Sequence, residues 1–308
     1  MRWSGAFLVL CALASGCAAP LVLDEQEALA VIPHRISPNG QIVVEVLLND
    51  QGPVDFALDT GASISVVFDQ TLTKLGLDVV SNDEKVIQGM LGLGRFPIAD
   101  VDRVQIGKDT WERARLAILP GDTPASRGID GILGTDYLGR HALAYSQGNR
   151  TLQLYTQNTV QEIAYRGWAT IPLQRLQIGN SDARVYVIDI VIQGRHVPAL
   201  LDLGTEMSLM NWNAARAFGV TQSRSKQEIE VSGAIEVDDE TKVARLVVNE
   251  LQLANLTWRN RLFLIADLPV FEALGLGNEP MAIVGVDFFN QRDIVIDLVR
   301  ERLLVKLR

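Results

Sequence analysis

The chain has 308 residues, 48% of them hydrophobic and 21% charged, which supplies apolar material for two cores and excludes a disordered chain. Its formal net charge of −9 argues against nucleic acid as a partner and against an electrostatic grip on anionic lipid. From the N-terminus, Met1-Arg2 form a short positive end and residues 3–14 an apolar run. Leu13-Ala14-Ser15-Gly16-Cys17 then reads as a small-residue cleavage site, which together make the pattern of an export signal. Of the two cysteines, Cys11 lies in the removed stretch, so Cys17 is the thiol that remains and an internal disulfide is not expected. No later apolar run is long enough to span a bilayer, so membrane attachment would rest on a lipid.

The signal resembles that of bacterial lipoproteins, in which the cysteine becomes the lipidated first residue; plain secretion with Cys17 incidental is the alternative. The resemblance implies a protein on the periplasmic side of a membrane. Ala18 after the cysteine, in place of Asp, implies the outer membrane. Residues 18–35 carry charges and few turn signals and read as a tether.

Short runs of strand type follow at residues 41–48, 54–58, 101–106, 115–119 and 151–155, and again at 184–192, 197–201, 244–253, 261–265, 293–298 and 302–307. Asn49-Asp50-Gln51-Gly52 and Gln193-Gly194 have the chemistry of hairpin turns. Helical character is confined to residues 69–75 and 212–218, with a turn after Gly134 and another after Gly285. Strand patterning lapses over residues 158–167, which places the boundary between a first lobe at 36–160 and a second at 161–308.

The lobes read as one domain type present twice. Phe56-Ala57-Leu58-Asp59-Thr60-Gly61-Ala62-Ser63 recurs, altered, as Ala199-Leu200-Leu201-Asp202-Leu203-Gly204-Thr205-Glu206, and the same offset aligns Leu75-Gly76-Leu77 with Phe218-Gly219-Val220. Val104-Gln105-Ile106 then answers Leu251-Gln252-Leu253, Thr110-Trp111 answers Thr257-Trp258, and Ile132-Leu133-Gly134 answers Ile283-Val284-Gly285, with the offset growing as loop insertions would make it grow. Each half presents one carboxylate, Asp59 or Asp202, after an apolar strand, and Gly61 and Gly204 permit the tight turn that follows. Two carboxylates at close range cannot both ionise cheaply and share one proton, so the pair holds a base for water and an acid for the leaving amine.

Apolar-apolar-Asp-Thr-Gly-Ala followed by apolar-apolar-Gly resembles the retropepsin-type aspartic peptidases, specifically bacterial aspartyl protease family proteins. Ile132-Leu133-Gly134-Thr135-Asp136-Tyr137-Leu138 and Ile283-Val284-Gly285-Val286-Asp287-Phe288-Phe289 fit that family's Leu-Gly-x-Asp-Phe-Leu pattern, and the likeness covers most of residues 40–308. It implies an all-β chain of two tandem retropepsin-like β-barrel lobes, paired by a pseudo-twofold within a monomer. It also implies aspartic endopeptidase activity on an extended polypeptide, without metal or cofactor, from Asp59 and Asp202. Thr60, Gly61, Ala62, Gly204 and Thr205 would support the dyad. Each lobe would carry a flap, with Gly89 and Met90 at one tip and Gly233 at the other. Solvent hairpins are the alternative for these segments.

The second motif departs from the family in having Leu203 where a threonine is used; the two threonine hydroxyls of the family cross between the loops. Thr60 could supply one and Leu203 cannot, so the alternative function is a catalytically inactive, retropepsin-like peptide-binding module. Thr205 offers a hydroxyl to Asp202 where Ala62 offers none to Asp59, which makes Asp202 the expected anion and Asp59 the expected proton holder. Asp136 and Asp287 are expected to cap the short helices that follow. His34, His141 and His196 are scattered and read as surface or turn residues, and no serine has a placed base.

Overall fold

A computed structural model describes residues 28–89, 93–123, 126–146, 148–156, 167–178, 184–220, 243–289 and 292–307. The expected elements form, several longer than their sequence signal. Residues 54–58 belong to Gln51–Leu58, 101–106 to Leu93–Ile106, 115–119 to Asp109–Leu119, and 261–265 to Leu256–Ile265. Helices lie at Asp69–Leu75 and Trp212–Ala217. The hairpin turns take the positive φ their residues favour, 48° and 64° at Asn49 and Asp50, and 49° and 79° at Gln193 and Gly194.

In the first half the ring order is Ile42–Leu48, Gln51–Leu58, Gly131–Leu133, Val66–Phe68, Asp109–Leu119, Leu93–Ile106, and back to Ile42–Leu48. In the second it is Arg184–Ile192, Arg195–Leu201, Ala282–Val284, Leu209–Met210, Leu256–Ile265, Ala244–Leu253, and back to Arg184–Ile192. Two six-stranded barrels therefore close with the same topology, as the repeat required. Closure leaves few free edges, and β-branched residues such as Val44, Val46, Ile188 and Ile190 fill the interiors, all buried.

A third sheet joins the halves, in the order Ala30–Pro33, Thr151–Tyr155, Ala142–Ser146, Ile294–Asp297, Arg302–Lys306, Trp168–Pro172. Its two central strands come from different lobes and pair Leu143 with Ile296 and Ala144 with Val295, so the pseudo-twofold passes between them. One face joins Leu143, Tyr145, Ile294 and Ile296 to the main core, and the other buries Ala142, Ala144, Tyr155, Val295 and Leu304. The sheet commits a large apolar area to holding the lobes in one relative placement.

This sheet corrects the reading of residues 18–35 as tether for residues 30–35; residues 18–27 lie outside the described residues. Ala30–Pro33 is an edge strand paired with Thr151–Tyr155, with Ala30 and Ile32 buried, and Arg35–Ile36 pairs with Ile42–Leu48. Four residues with a terminal proline give almost no local signal; their strand exists because the sheet supplies its partner. The first lobe thus starts near residue 30, and the first strand of the second lobe after the junction is Trp168–Pro172.

Histidine placement also differs from expectation. His141 is buried and its Nε2 lies 3.0 Å from Asp109 Oδ2, which also accepts the Tyr137 hydroxyl at 3.0 Å. Burial works to raise the Asp109 pKa, yet the hydrogen bond and charge of His141, with the Tyr137 hydroxyl, hold it below the usual value. His34 is buried against the Tyr145 ring, and only His196 is exposed, beside Asp189. Burying an imidazole requires a partner on another segment, which sequence neighbours do not reveal.

Candidate active site

In each barrel the strand leading to the aspartate is central, paired antiparallel on one side and parallel on the other. Ala57 lies opposite Ile132 and Leu58 opposite Leu133; Leu200 lies opposite Ile283 and Leu201 opposite Val284. The parallel neighbour catches the chain as it leaves the sheet, since Asp59 N–H donates to Leu133 O and Asp202 N–H to Val284 O, both at 3.0 Å. Both aspartates therefore start from a backbone fixed by a ladder.

The loops beyond them are anchored by a serine that the motif comparison passed over. Ser65 Oγ donates to Asp136 Oδ1 at 2.7 Å and accepts from Gly134 N–H at 3.0 Å, while Ser65 N–H donates to Asp136 Oδ2 at 2.9 Å. In the second lobe Ser208 Oγ donates to Asp287 Oδ1 at 2.8 Å and accepts from Gly285 N–H at 3.1 Å. Burial raises both Asp136 and Asp287 above the ordinary carboxylate value, and the serine contacts oppose that rise. These two carboxylates tie the aspartate loop to the Gly134 or Gly285 element. They also accept an N–H from the first turn of the short helix, Tyr137 N–H at 2.8 Å for Asp136 and Phe288 N–H for Asp287, from inside the helix, while Gly134 holds the N-cap position of the first. The signal was present, because Ser65 and Ser208 stand at the same offset as Asp59 and Asp202.

The two loops meet where the lobes join, and the Asp59 and Asp202 carboxyls face each other in one cleft, close enough to titrate together. Each glycine faces the opposite carboxyl. A Cβ built on Gly61 would lie 2.7 Å from Asp202 Oδ2, and one on Gly204 would collide with the Asp59 carboxyl. The glycines are thus required by close approach across the interface, beyond the turn itself. Gly61 and Ala62 N–H groups donate to Asp59 Oδ1 at 2.7 and 3.0 Å, and Gly204 N–H donates to Asp202 Oδ1 at 2.9 Å.

Burial raises both carboxyls above the ordinary value, and the neighbouring Asp59 charge pushes Asp202 well above it. The two carboxyls share one proton and titrate as a unit. Loss of solvation at the lobe interface is the main cause of the rise for both. Two short backbone donors also converge on one Asp59 oxygen. Thr205 N–H donates to the main-chain O of Asp202 at 3.4 Å.

A pH dependence follows. A carboxyl with a raised folded pKa contributes its full stability below the unfolded value, near 3.8 for Asp202, and loses it as pH climbs toward the folded value. Chemical denaturation of wild type and Asp202→Asn between pH 4 and 7 should show wild type losing stability relative to the variant as pH rises. A pH-independent difference would contradict a strained pair.

Thr60 is completely buried. Its Oγ1 donates to Leu201 O at 2.7 Å and accepts from Leu203 N–H at 3.0 Å, so one cross-lobe hydroxyl bridge exists. Leu203, 2% exposed, sends its side chain among Ile42, Leu58, Leu138, Leu143, Leu152 and Ile296, residues of the first barrel and the joining sheet. An apolar peg stands where the mirror hydroxyl would be. Leu203→Ala should cost about 3 kcal/mol of stability through the cavity left at this junction. Equilibrium denaturation checks it, and a change below about 0.5 kcal/mol would mean the peg is not packed.

A cleft of about 160 Å³ opens over the dyad, lined among others by Ile64, Val66, Ile87, Leu119 and Ile132 from the first lobe and by Ile178, Leu200, Val270 and Ile283 from the second. Val80–Gln88 and Leu93–Ile106 form the hairpin expected as a flap, with Gln88 opposite Leu93, and Ile87, Gln88 and Gly89 reach the cleft. Met90 of that tip, all of the second candidate flap with Gly233, and Cys17 lie outside the described residues.

A family model described as aspartyl protease matches residues 44–137 and 188–288, more than half of the chain, with one aspartate of the pair in each stretch. A solved structure described as a retropepsin-like aspartic protease from Rickettsia conorii is 15% identical, with a TM-score of 0.32, over 46% of this chain and 91% of that one. Comparison with curated proteins gave no match. Two barrels of one topology, each carrying an Asp-x-Gly loop and each matched by the same model, place this chain in the aspartyl protease family, as a protein of two tandem retropepsin-like lobes.

Proposed function

We propose that the chain is an aspartic endopeptidase in which Asp59 and Asp202 act together on an extended polypeptide held in the cleft between the lobes. The observation that carries this reading is the facing pair of carboxyls at the lobe interface, with Gly61 and Gly204 each leaving room for the opposite carboxyl. Ionised Asp59 takes a proton from water as its oxygen bonds to the peptide carbonyl carbon, while Asp202 gives its proton to the carbonyl oxygen. The tetrahedral adduct then breaks its C–N bond as the proton on Asp59 passes to the departing nitrogen and a hydroxyl proton returns to Asp202. No covalent enzyme intermediate is needed. The flap hairpin, with Ile87 facing the cleft, covers substrate bound by strand addition.

In this reading the protein acts as a monomer held by a lipid on Cys17 at the periplasmic side of the outer membrane, which the export-type signal and Ala18 after the cysteine support. A second reading, a peptide-binding module without catalysis, is favoured by one observation, the loss of a cross-lobe hydroxyl at Leu203. Incubating the soluble form that starts at Ala18 with an unbiased peptide library between pH 4 and 7.5 separates the two. Metal-independent internal cleavage supports the peptidase, and saturable binding without cleavage supports the module.

A further inference from the structure

The two active-site loops are not held alike. Thr60 crosses from the first lobe to the second and bonds the backbone on both sides of Asp202, at Leu201 O and Leu203 N–H. Leu203 returns no hydroxyl. A second cross-lobe contact also starts in the first lobe: Gln41 Nε2 donates to Gly204 O at 3.2 Å. Gln41 is 8% exposed and lies at the edge of the cleft, just before the strand Ile42–Leu48.

Its orientation is built. Ser37 Oγ donates to Gln41 Oε1 at 3.2 Å and accepts from the Gln41 and Asn39 N–H groups, also at 3.2 Å, while Gln41 O accepts from Ser37 N–H at 2.9 Å. The amide oxygen is thereby occupied and the amide nitrogen aimed across the interface. The same turn packs Gly40 against the Glu206 side chain, where an added Cβ would lie 2.7 Å from Glu206 Cγ. Gly204 O belongs to the peptide unit whose N–H, that of Thr205, donates to the main-chain O of Asp202 at 3.4 Å, and Gly204 N–H donates to Asp202 Oδ1 at 2.9 Å, so the same residue closes the turn around the aspartate. A donor on the carbonyl of a peptide fixes its plane and strengthens its N–H as a donor.

We propose that Gln41, held by Ser37, is a positioning residue for the dyad: by gripping Gly204 O from the opposite lobe it fixes the peptide that supports Asp202, in a chain where Leu203 has removed one of the hydroxyl bridges. Thr60 secures the entry of the second loop and Gln41 its exit. The inference rests on the peptidase reading for its effect on turnover, but the contact itself is testable without activity.

Gln41→Met keeps the length of the side chain and removes the donor. Amide exchange, read by mass spectrometry on fragments spanning residues 200–208, should speed up about tenfold in the variant, while fragments spanning 59–65 stay unchanged. kcat should fall about tenfold, the factor carried by one net hydrogen bond, with KM within about twofold. Gln41→Glu, which keeps the shape but sets a carboxylate against Gly204 O, should show the same pattern if Gln41→Met folds poorly. Unchanged exchange at 200–208 overturns the proposal, as does faster exchange with unchanged kcat. A parent protein that cleaves nothing overturns the peptidase reading and, with it, the effect on turnover; exchange still decides whether Gln41 holds the loop.

Discussion

Asp59→Asn and Asp202→Asn should each lower kcat by about 10⁴-fold, to the same floor, with peptide binding retained. The equality is the informative part. An amide at position 59 cannot accept a proton from water, and an amide at position 202 cannot supply one to the carbonyl oxygen, so either change removes half of a single proton circuit. Asn is close in shape to Asp and keeps most contacts of the Gly61, Ala62 and Gly204 N–H groups, so the loops should stay in place. Loss of cleavage with Asp59→Asn alone would point instead to pairing of first lobes between two chains. Measuring kcat and KM separately, with sedimentation to establish a monomer, distinguishes these outcomes.

Gly204→Ala should be nearly as damaging, lowering kcat by about 10³-fold, although it adds one methyl group and alters no charge. The new Cβ would collide with the Asp59 carboxyl across the interface, where the joining sheet keeps the lobes from separating to relieve it. The carboxyl must swing away from Asp202, and the shared proton with it. Overpacking of this kind costs about 1–3 kcal/mol, so the variant should still fold. Gly148→Ala serves as the control, because an added Cβ there meets nothing within 4 Å and should leave kcat unchanged. Near wild-type turnover of Gly204→Ala would show that the carboxyls work from a more open arrangement.

Much of the molecule was legible because its information is local or repeated. The apolar run into Asp59, the recurrence at Asp202, the turns at Asn49-Asp50 and Gln193-Gly194, and the helices after each motif are short-range patterns. A repeat doubles the evidence for each. Less was legible where a residue's role depends on a partner far along the chain. No strand was assigned over residues 80–85, yet Val80–Gln88 is a strand because Leu93–Ile106 pairs with it. Ala30–Pro33 was assigned to a tether for the same reason. Ser65 and Ser208 carried the right offset but no chemistry of their own until Asp136 and Asp287 were placed beside them.

By itself the sequence determined that the protein has two lobes of one kind, that each ends an apolar strand in an aspartate, and that a hydroxyl is missing at Leu203. These are matters of residue type and spacing, which covalent order preserves. Only the tertiary structure decided that burial raises both carboxyls, that Leu203 is a buried peg, and that Gln41 reaches Gly204. The reason is that desolvation, packing and cross-lobe hydrogen bonds depend on distances through space, and those are set by how the joining sheet brings the lobes together.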